Sequence, residues 1–281
     1  MEQLKKDSSL PWEEKFQELL QQVIHHNNIV CAQKLLETLP NNFNHQQING
    51  AYPLTASLGI AIKKGHIGIV DLLLKRIDIA PSLSGSLLTS AAAKGHLEIS
   101  KNLVNRGVNV NATDELGRTP LMLSVVNGHH RTAGALLAKG ANINKQDAAS
   151  NSPLNFAALK GDLEMVRLLL QHKADPTLKT GGATALMLAS AHGKREVVKL
   201  LLANKVGLNE KDLNGKTALM LAQESGHKNI VWDLRLAGWQ NKITDFFKKD
   251  GTKQIRRFPY LSQRFRCKAC DKSFAYSFFF L

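Results

Sequence analysis

Two cysteines separated by two residues, Cys267 and Cys270, have the spacing of a metal or thiol-exchange pair. A structural zinc site needs four sulfur or nitrogen ligands in a tetrahedron, and the last histidine in the sequence is His227, well before both. The pair is therefore half a site. Zinc would need further ligands from another chain, and otherwise no cofactor is expected. A redox role for this spacing calls for a surrounding strand-helix unit, and none is read here. His66, His96, His129 and His227 follow the turn of a repeat and do not converge on one centre. No glycine-rich phosphate loop, activated Ser or Cys, or paired carboxylates in a cleft occurs. The chemistry expected of this chain is binding, not catalysis.

The elements that would position a binding surface are repeated. A small or polar pair closes a first helix at Asn27-Asn28, Gly65-His66, Gly95-His96, Gly128-His129, Gly161-Asp162, Gly193-Lys194 and Gly226-His227, at intervals of 38, 30, 33, 33, 32 and 33 residues. A period near 33 predicts stacked helix-turn-helix units, each burying its apolar face on its neighbours. In the most regular unit, Thr119 is placed to cap a helix whose first residue is Pro120, where a missing N–H costs nothing. Leu121 and Leu123 are expected to face inward, Gly128 to end the first helix, and Leu136 and Leu137 to fill the space between layers. Gly140 is expected to close the second helix, and residues 141–144 to turn outward as a short hairpin-like connection. By the same register Gly238 closes the seventh unit. The domain reading is a lead at 1–15, an array at 16–238 and a tail at 239–281, with a polar loop over 40–52.

Apolar residues make up 43% of the chain and aromatic ones 6%, which suits cores of Ala and Leu on close-packed helices. No run approaches the ~20 apolar residues that span a bilayer, and residues 1–10 lack the apolar core of a signal peptide. Cys31, Cys267 and Cys270 are too few for a disulfide framework, so a reducing compartment, cytoplasmic or nuclear, is expected. The net charge of +14 is uneven: residues 239–281 carry ten Lys or Arg against three Asp. A basic tail of that kind attracts nucleic acid, acidic protein or an anionic surface, or is simply solvated.

Gly117-Arg118-Thr119-Pro120-Leu121, Ser152-Pro153-Leu154 with Ala157-Ala158, Thr184-Ala185-Leu186 and Gly215-Lys216-Thr217-Ala218-Leu219 resemble the ankyrin repeat. The resemblance implies an all-α solenoid of about seven units, no catalytic role, and a concave groove of hairpin tips and first helices that grips other proteins. The groove residues it implies are Thr113, Glu115, Leu116, Arg118, Val126 and Asn127 in the fourth unit, and Ala148, Ala149, Asn151, Leu159 and Lys160 in the fifth. They continue as Thr180, Gly181, Ala183, Ala191 and His192 in the sixth, and Leu213, Asn214, Lys216, Glu224 and Ser225 in the seventh. This mostly small or neutral lining suits a protein segment better than a phosphate backbone. The chain departs from the family where a His usually follows Thr-Pro-Leu: Met122, Asn155, Met187 and Met220 stand there. The hydrogen bonding of that imidazole must be absent or rerouted, and Met is read as an apolar filler, not a metal ligand. The first unit lacks the Thr-Pro-Leu signal and is read as a polar N-terminal cap.

Beyond Gly238, Gln240, Ile243, Phe246 and Phe247 resemble the four defining positions of the peptide by which replication and repair proteins dock on the eukaryotic sliding clamp, PCNA. One helical turn brings the three apolar residues to one side. The same residues equally suit a capping helix folded on the seventh unit. Residues 265–274 are similar to the opening hairpin of a two-Cys, two-His zinc finger without its His half. The aromatic end, Tyr276 with Phe278 to Phe280, is an aggregation hazard unless it packs on something. The leading expectation is a non-enzymatic adaptor that binds protein through its concave face, with a tail for recruitment to the clamp. The alternatives are direct binding of nucleic acid or an anionic surface by the tail, and a bacterial effector directed at host proteins.

Overall fold

The computed structural model describes residues 12–39, 53–77, 81–204 and 206–250. Among them are fourteen helices in seven consecutive pairs and no strand. The pairs are α1 (Trp12–His25) with α2 (Ile29–Glu37), α3 (Pro53–Lys64) with α4 (Ile67–Leu74), α5 (Pro81–Ala93) with α6 (Leu97–Asn105), and α7 (Pro120–Val126) with α8 (His130–Ala138). They continue as α9 (Pro153–Lys160) with α10 (Leu163–Gln171), α11 (Ala185–Ala191) with α12 (Arg195–Ala203), and α13 (Ala218–Glu224) with α14 (Lys228–Asp250). First helices α1 to α13 touch one another in series, and second helices α2 to α12 form a parallel row. The all-α solenoid expected from the periodicity is thus the observed architecture. The chain divides into two compact units, residues 1–234 and 235–281, and the first holds the stacked pairs from α1 to the start of α14.

Local sequence explains where the first helices start. The hydroxyls of Thr119, Ser152, Thr184 and Thr217 accept the N–H three residues on, at 3.2, 3.2, 3.4 and 3.4 Å. Pro120 and Pro153 fill the first helical position. Each such cap contributes about 1 kcal/mol. The methionines that replace the family's His complete the cap from the other side. Thr119 N–H donates to the Met122 thioether and Thr184 N–H to that of Met187, both at 3.4 Å. In the fifth unit Asn155 reroutes the bond, its Nδ2 donating to the Leu178 carbonyl and to the Thr180 hydroxyl. Met220 differs. It is 47% exposed whereas Met122 and Met187 are fully covered, and α13 is the last first helix in the series.

Leu121, Leu123 and Leu136 are buried and Leu137 is partly so, each such leucine contributing about 1.5–3 kcal/mol. Polar groups tie one unit to the next. Arg106 Nη1 donates to the Leu74 carbonyl at 2.8 Å, Asn102 to Asp71, and Arg195 forks onto Asp233 at 2.7 and 3.1 Å. The repeated histidines work between layers: the rings of His96, His129 and His227 lie over Gly65, Gly95 and Gly193 of the preceding unit. Nε2 of each faces the carbonyl of Lys63, Ala93 or Ala191 at 3.4, 3.1 and 3.0 Å. A carbonyl only accepts, so the hydrogen sits on Nε2. Lys194 takes the same place against Gly161, while nothing comes within 4 Å of a Cβ at Gly128. There the fifth unit has Asp162, which caps α10 through Met165 N–H at 3.0 Å and meets His130 Nε2 at 2.8 Å.

The register misleads at Gly238. Gly140 has the expected left-handed backbone, with φ of 84°, but Gly238 is absent from the positive-φ residues and α14 runs through it without a break. The boundary between the two compact units falls at 234/235, inside that helix. The reason is local: no Pro or second Gly follows Gly238 before Gly251, so no strong helix breaker stops the ladder. The first helix also begins earlier than the array boundary read at residue 16, at Trp12.

Two of these contacts can be tested by stability. Gly95 has φ of 73°, and a Cβ there would lie 2.5 Å from His129 Nδ1. Gly95→Ala should cost roughly 2 kcal/mol or more in urea unfolding. Gly238→Ala, in open helix, should be neutral or stabilise by about 0.5–1 kcal/mol, the reverse of what a helix-ending glycine would show. The other contact is that of His66, whose Nε2 is buried without a partner. Burial, then Lys64, His96 and His25, lower its pKa from the ordinary value. The unfolded chain binds the proton more readily, so this contribution to stability is full above about pH 6.5 and is lost as pH falls toward the depressed folded value. The urea midpoint should therefore drop more between pH 7.5 and 5.5 in the parent than in His66→Gln.

Candidate interaction surface

Between second and first helices the chain forms fingers, at 114–118, 147–151, 179–183 and 212–216. Three share one device, an aspartate that accepts the backbone N–H groups two and four residues on. Asp114 takes those of Leu116 and Arg118 at 3.0 and 2.9 Å, Asp147 those of Ala149 and Asn151 at 2.9 and 2.8 Å, and Asp212 those of Asn214 and Lys216 at 2.9 and 2.8 Å. Burial pushes the Asp114 carboxyl up, but the Arg118 guanidinium at 2.8 Å and the two N–H donors outweigh it and hold the group below the usual carboxylate range.

The finger at 179–183 has Lys179 where the others have Asp. Its turn is made by Gly181 and Gly182, with φ of 53° and 85°, a pair that closes a two-residue hairpin with the twist strands prefer. Thr180 and Ala183 exchange backbone bonds of 2.8 and 2.9 Å. This is the nearest approach to a hairpin among the described residues. Lys179 is held by Glu210 at 3.1 Å and by the Lys211 carbonyl at 3.0 Å. Neighbouring fingers are also stitched together. Ala148 N–H donates to the Leu116 carbonyl at 3.0 Å, Gln146 Nε2 to that of Lys179 at 3.1 Å, and the Thr180 hydroxyl to that of Ser150 at 3.1 Å.

None of the groove residues implied by the resemblance is buried, but many already have work within the chain. Arg118 serves Asp114; Asn151 serves Asp147, its Nδ2 lying 3.0 Å from Oδ2; and Asn127 Nδ2 donates to the Leu123 carbonyl at 2.8 Å. Lys160 donates to the Val126 carbonyl, His192 Nδ1 to that of Leu188 at 2.9 Å, and Lys216 pairs with Glu224 at 2.7 Å. That pairing raises the Lys216 pKa. Side chains left facing outward include Leu116, Leu159 and Leu213, the last 82% exposed as it crosses Gly182. Thr113, Glu115, Ala148, Ala149, Gly181, Asn214 and Ser225 are exposed beside them, and Ala183 and Ala191 are half-buried.

The residues named in sequence from the last turn of each first helix stand just before the marker glycine. The same register applied to Asn27, Gly65 and Gly95 gives His25, His26, Lys63, Lys64 and Lys94, all exposed. Sequence reasoning missed them because these units lack the Thr-Pro-Leu signal used for alignment, although the markers were sufficient. Gln240 lies on α14, as do positions 243, 246 and 247, so the clamp-like pattern occupies a continuation of a second helix. Cys267, Cys270 and the aromatic end lie outside the described residues. No group of three or more His, Cys, Asp or Glu among the described residues could hold a metal, and no helix there is long and apolar enough to cross a membrane.

The family described as ankyrin repeats in three copies matches residues 58–147, 87–180 and 154–245. The chain belongs to the ankyrin-repeat family. Among curated proteins, this ankyrin array is 35% identical over 158 residues to cyclin-dependent kinase inhibitor 2A of Monodelphis domestica, covering 55% of this chain and 71% of that one. It is 36% identical over 91 residues to the probable E3 ubiquitin-protein ligase XBOS32 of Oryza sativa subsp. japonica, covering 31% of this chain and 18% of the ligase. A second probable ligase of that plant, XBOS33, is 47% identical over 69 residues, 24% of this chain and 13% of its own. The ankyrin chain thus spans most of the inhibitor but under a fifth of either ligase.

If the aspartate anchors set finger shape, Asp147→Ala should cost roughly 1–3 kcal/mol and expose the amides of Ala149 and Asn151 to hydrogen exchange. Lys179→Ala, which breaks an exposed pair, should cost under about 1 kcal/mol.

Proposed function

We propose that this protein is a non-enzymatic adaptor that holds a partner protein against the face formed by its fingers and first helices. The observation that carries this reading is a contrast within that face. Its backbone is fixed by aspartate turns and finger-to-finger bonds, while Leu116, Leu159 and Leu213 stay in water. Exposed apolar side chains on a rigid frame lose little entropy on binding, which is what a docking surface requires. The matching relatives support it, since their names describe an inhibitor of a kinase and ligases of ubiquitin to protein, actions directed at other proteins. A cytoplasmic or nuclear site of action goes with this reading.

The test is photo-crosslinking in cells with the full chain. A crosslinkable residue at 116, 159 or 213 should capture a partner polypeptide, and one at 101, 167 or 199 on the second-helix row should not. Capture from the second-helix row alone would overturn the proposal. Leu159→Asp with Leu213→Asp should abolish capture from position 116 while shifting the urea midpoint by no more than the ~0.5 kcal/mol typical of surface changes.

A further inference from the structure

The groove is not electrically neutral along its length. Lys63 and Lys64 end α3, Lys94 follows α5 directly, and His25 and His26 stand at the end of α1. These three helices touch in series, so their ends make one ledge. The ammonium groups of Lys63, Lys64 and Lys94 form no ion pair among the described residues. Basic residues of the second-helix row are used differently: Arg76 and Arg106 reach the carbonyls of Leu39 and Leu74 in the preceding unit. Nor does the sequence supply counter-charge nearby, since residues 38–97 contain two Asp and no Glu against five Lys or Arg. The ledge's field is felt by His66, which burial foremost, and then Lys64, His96 and His25, hold below its ordinary pKa.

We propose that this ledge binds an extended acidic segment of a partner protein, its carboxylates meeting Lys63, Lys64 and Lys94. The inference rests on the groove reading above and adds the partner's chemistry. Packed helices stand about 8–10 Å apart and an extended chain of the polyproline II kind advances about 3.1 Å per residue with three residues per turn, so an acidic side chain at every third residue faces successive layers. A phosphate backbone fits less well. Affinity for a nucleic-acid strand grows with the number of phosphates neutralised, and the three lysines of the ledge neutralise few. Half-buried Ile60 and Ala93 beside the lysines give an acidic peptide apolar neighbours to bury.

The experiment is selection of a displayed library of random 16-residue peptides on the immobilised full chain, followed by affinity measurement with the enriched peptides. Acidic sequences with a three-residue period should emerge. Their binding should weaken at least about tenfold in the Lys63→Glu, Lys64→Glu, Lys94→Glu variant and fall steeply between 50 and 300 mM salt. A second variant with Gln at the same three positions guards against misfolding, and should weaken binding in the same direction with an unchanged circular dichroism melt. Reversal of Arg131, Lys139 and Lys173 on the second-helix side should leave affinity within about threefold. Neutral or basic peptides that crosslink to the groove would overturn the acidic partner and leave the groove reading intact. No enriched peptide, or tighter ledge-dependent binding of a 16-nucleotide oligothymidylate, would overturn it too.

Discussion

Every unit of this array is incomplete until the next one arrives. A pair of short helices presents two apolar sides and can shield only the one between its own rods, so leucines such as Leu136 and Leu169 become core by contact between layers. First helices of seven or eight residues, such as α7, α9, α11 and α13, are too short to persist alone in water. The histidine laid over the glycine of the preceding layer makes that dependence specific. The glycine's left-handed backbone ends one helix, its missing side chain admits the ring, and the ring's N–H satisfies a carbonyl of the neighbouring unit. One contact thus terminates an element, sets the spacing of layers and gives a partner to a carbonyl near the helix end.

The face of fingers and first helices is a by-product of this stacking. Once the helices are fixed, the connections must leave the core on one side, and Asp114, Asp147 and Asp212 give them a common shape by gathering their own amides. Electrostatics are then set by register. Whatever residue precedes the marker glycine appears at the same corner of every layer, so lysines scattered along the sequence become a ledge in space.

Most of the architecture is legible in the chain itself. The glycine markers give the number of units, Thr-Pro gives the helix starts, and alternating Leu and Ala give the buried sides. What escaped has particular causes. Met122 and Met187 read as filler because a thioether is a weak acceptor, and only the geometry of the capped turn places sulfur 3.4 Å from an N–H. Gly238 stands where Gly140 stands, but a glycine stops a helix only if the residues after it take another path, which depends on sequence further on. The finger at 179–183 aligns with its neighbours, but its different turn was not foreseen: Lys179 replaces the anchoring aspartate and two left-handed glycines close it. Lys63, Lys64 and Lys94 were overlooked because the early units keep the period while losing the consensus.

The layers are not all joined by the same contacts, and the fourth unit is the exception. Buried side chains fall into two clusters that divide there, with Leu136 in the first and Leu121, Val125 and Ala133 in the second. Across the same unit's far side no ring or long side chain covers Gly128. The joint is made instead by polar groups: His130 meets Asp162, Lys160 reaches the Val126 carbonyl, and Ala148 N–H donates to the Leu116 carbonyl. A side chain added at Gly128 would therefore strain its own left-handed backbone without striking the next layer.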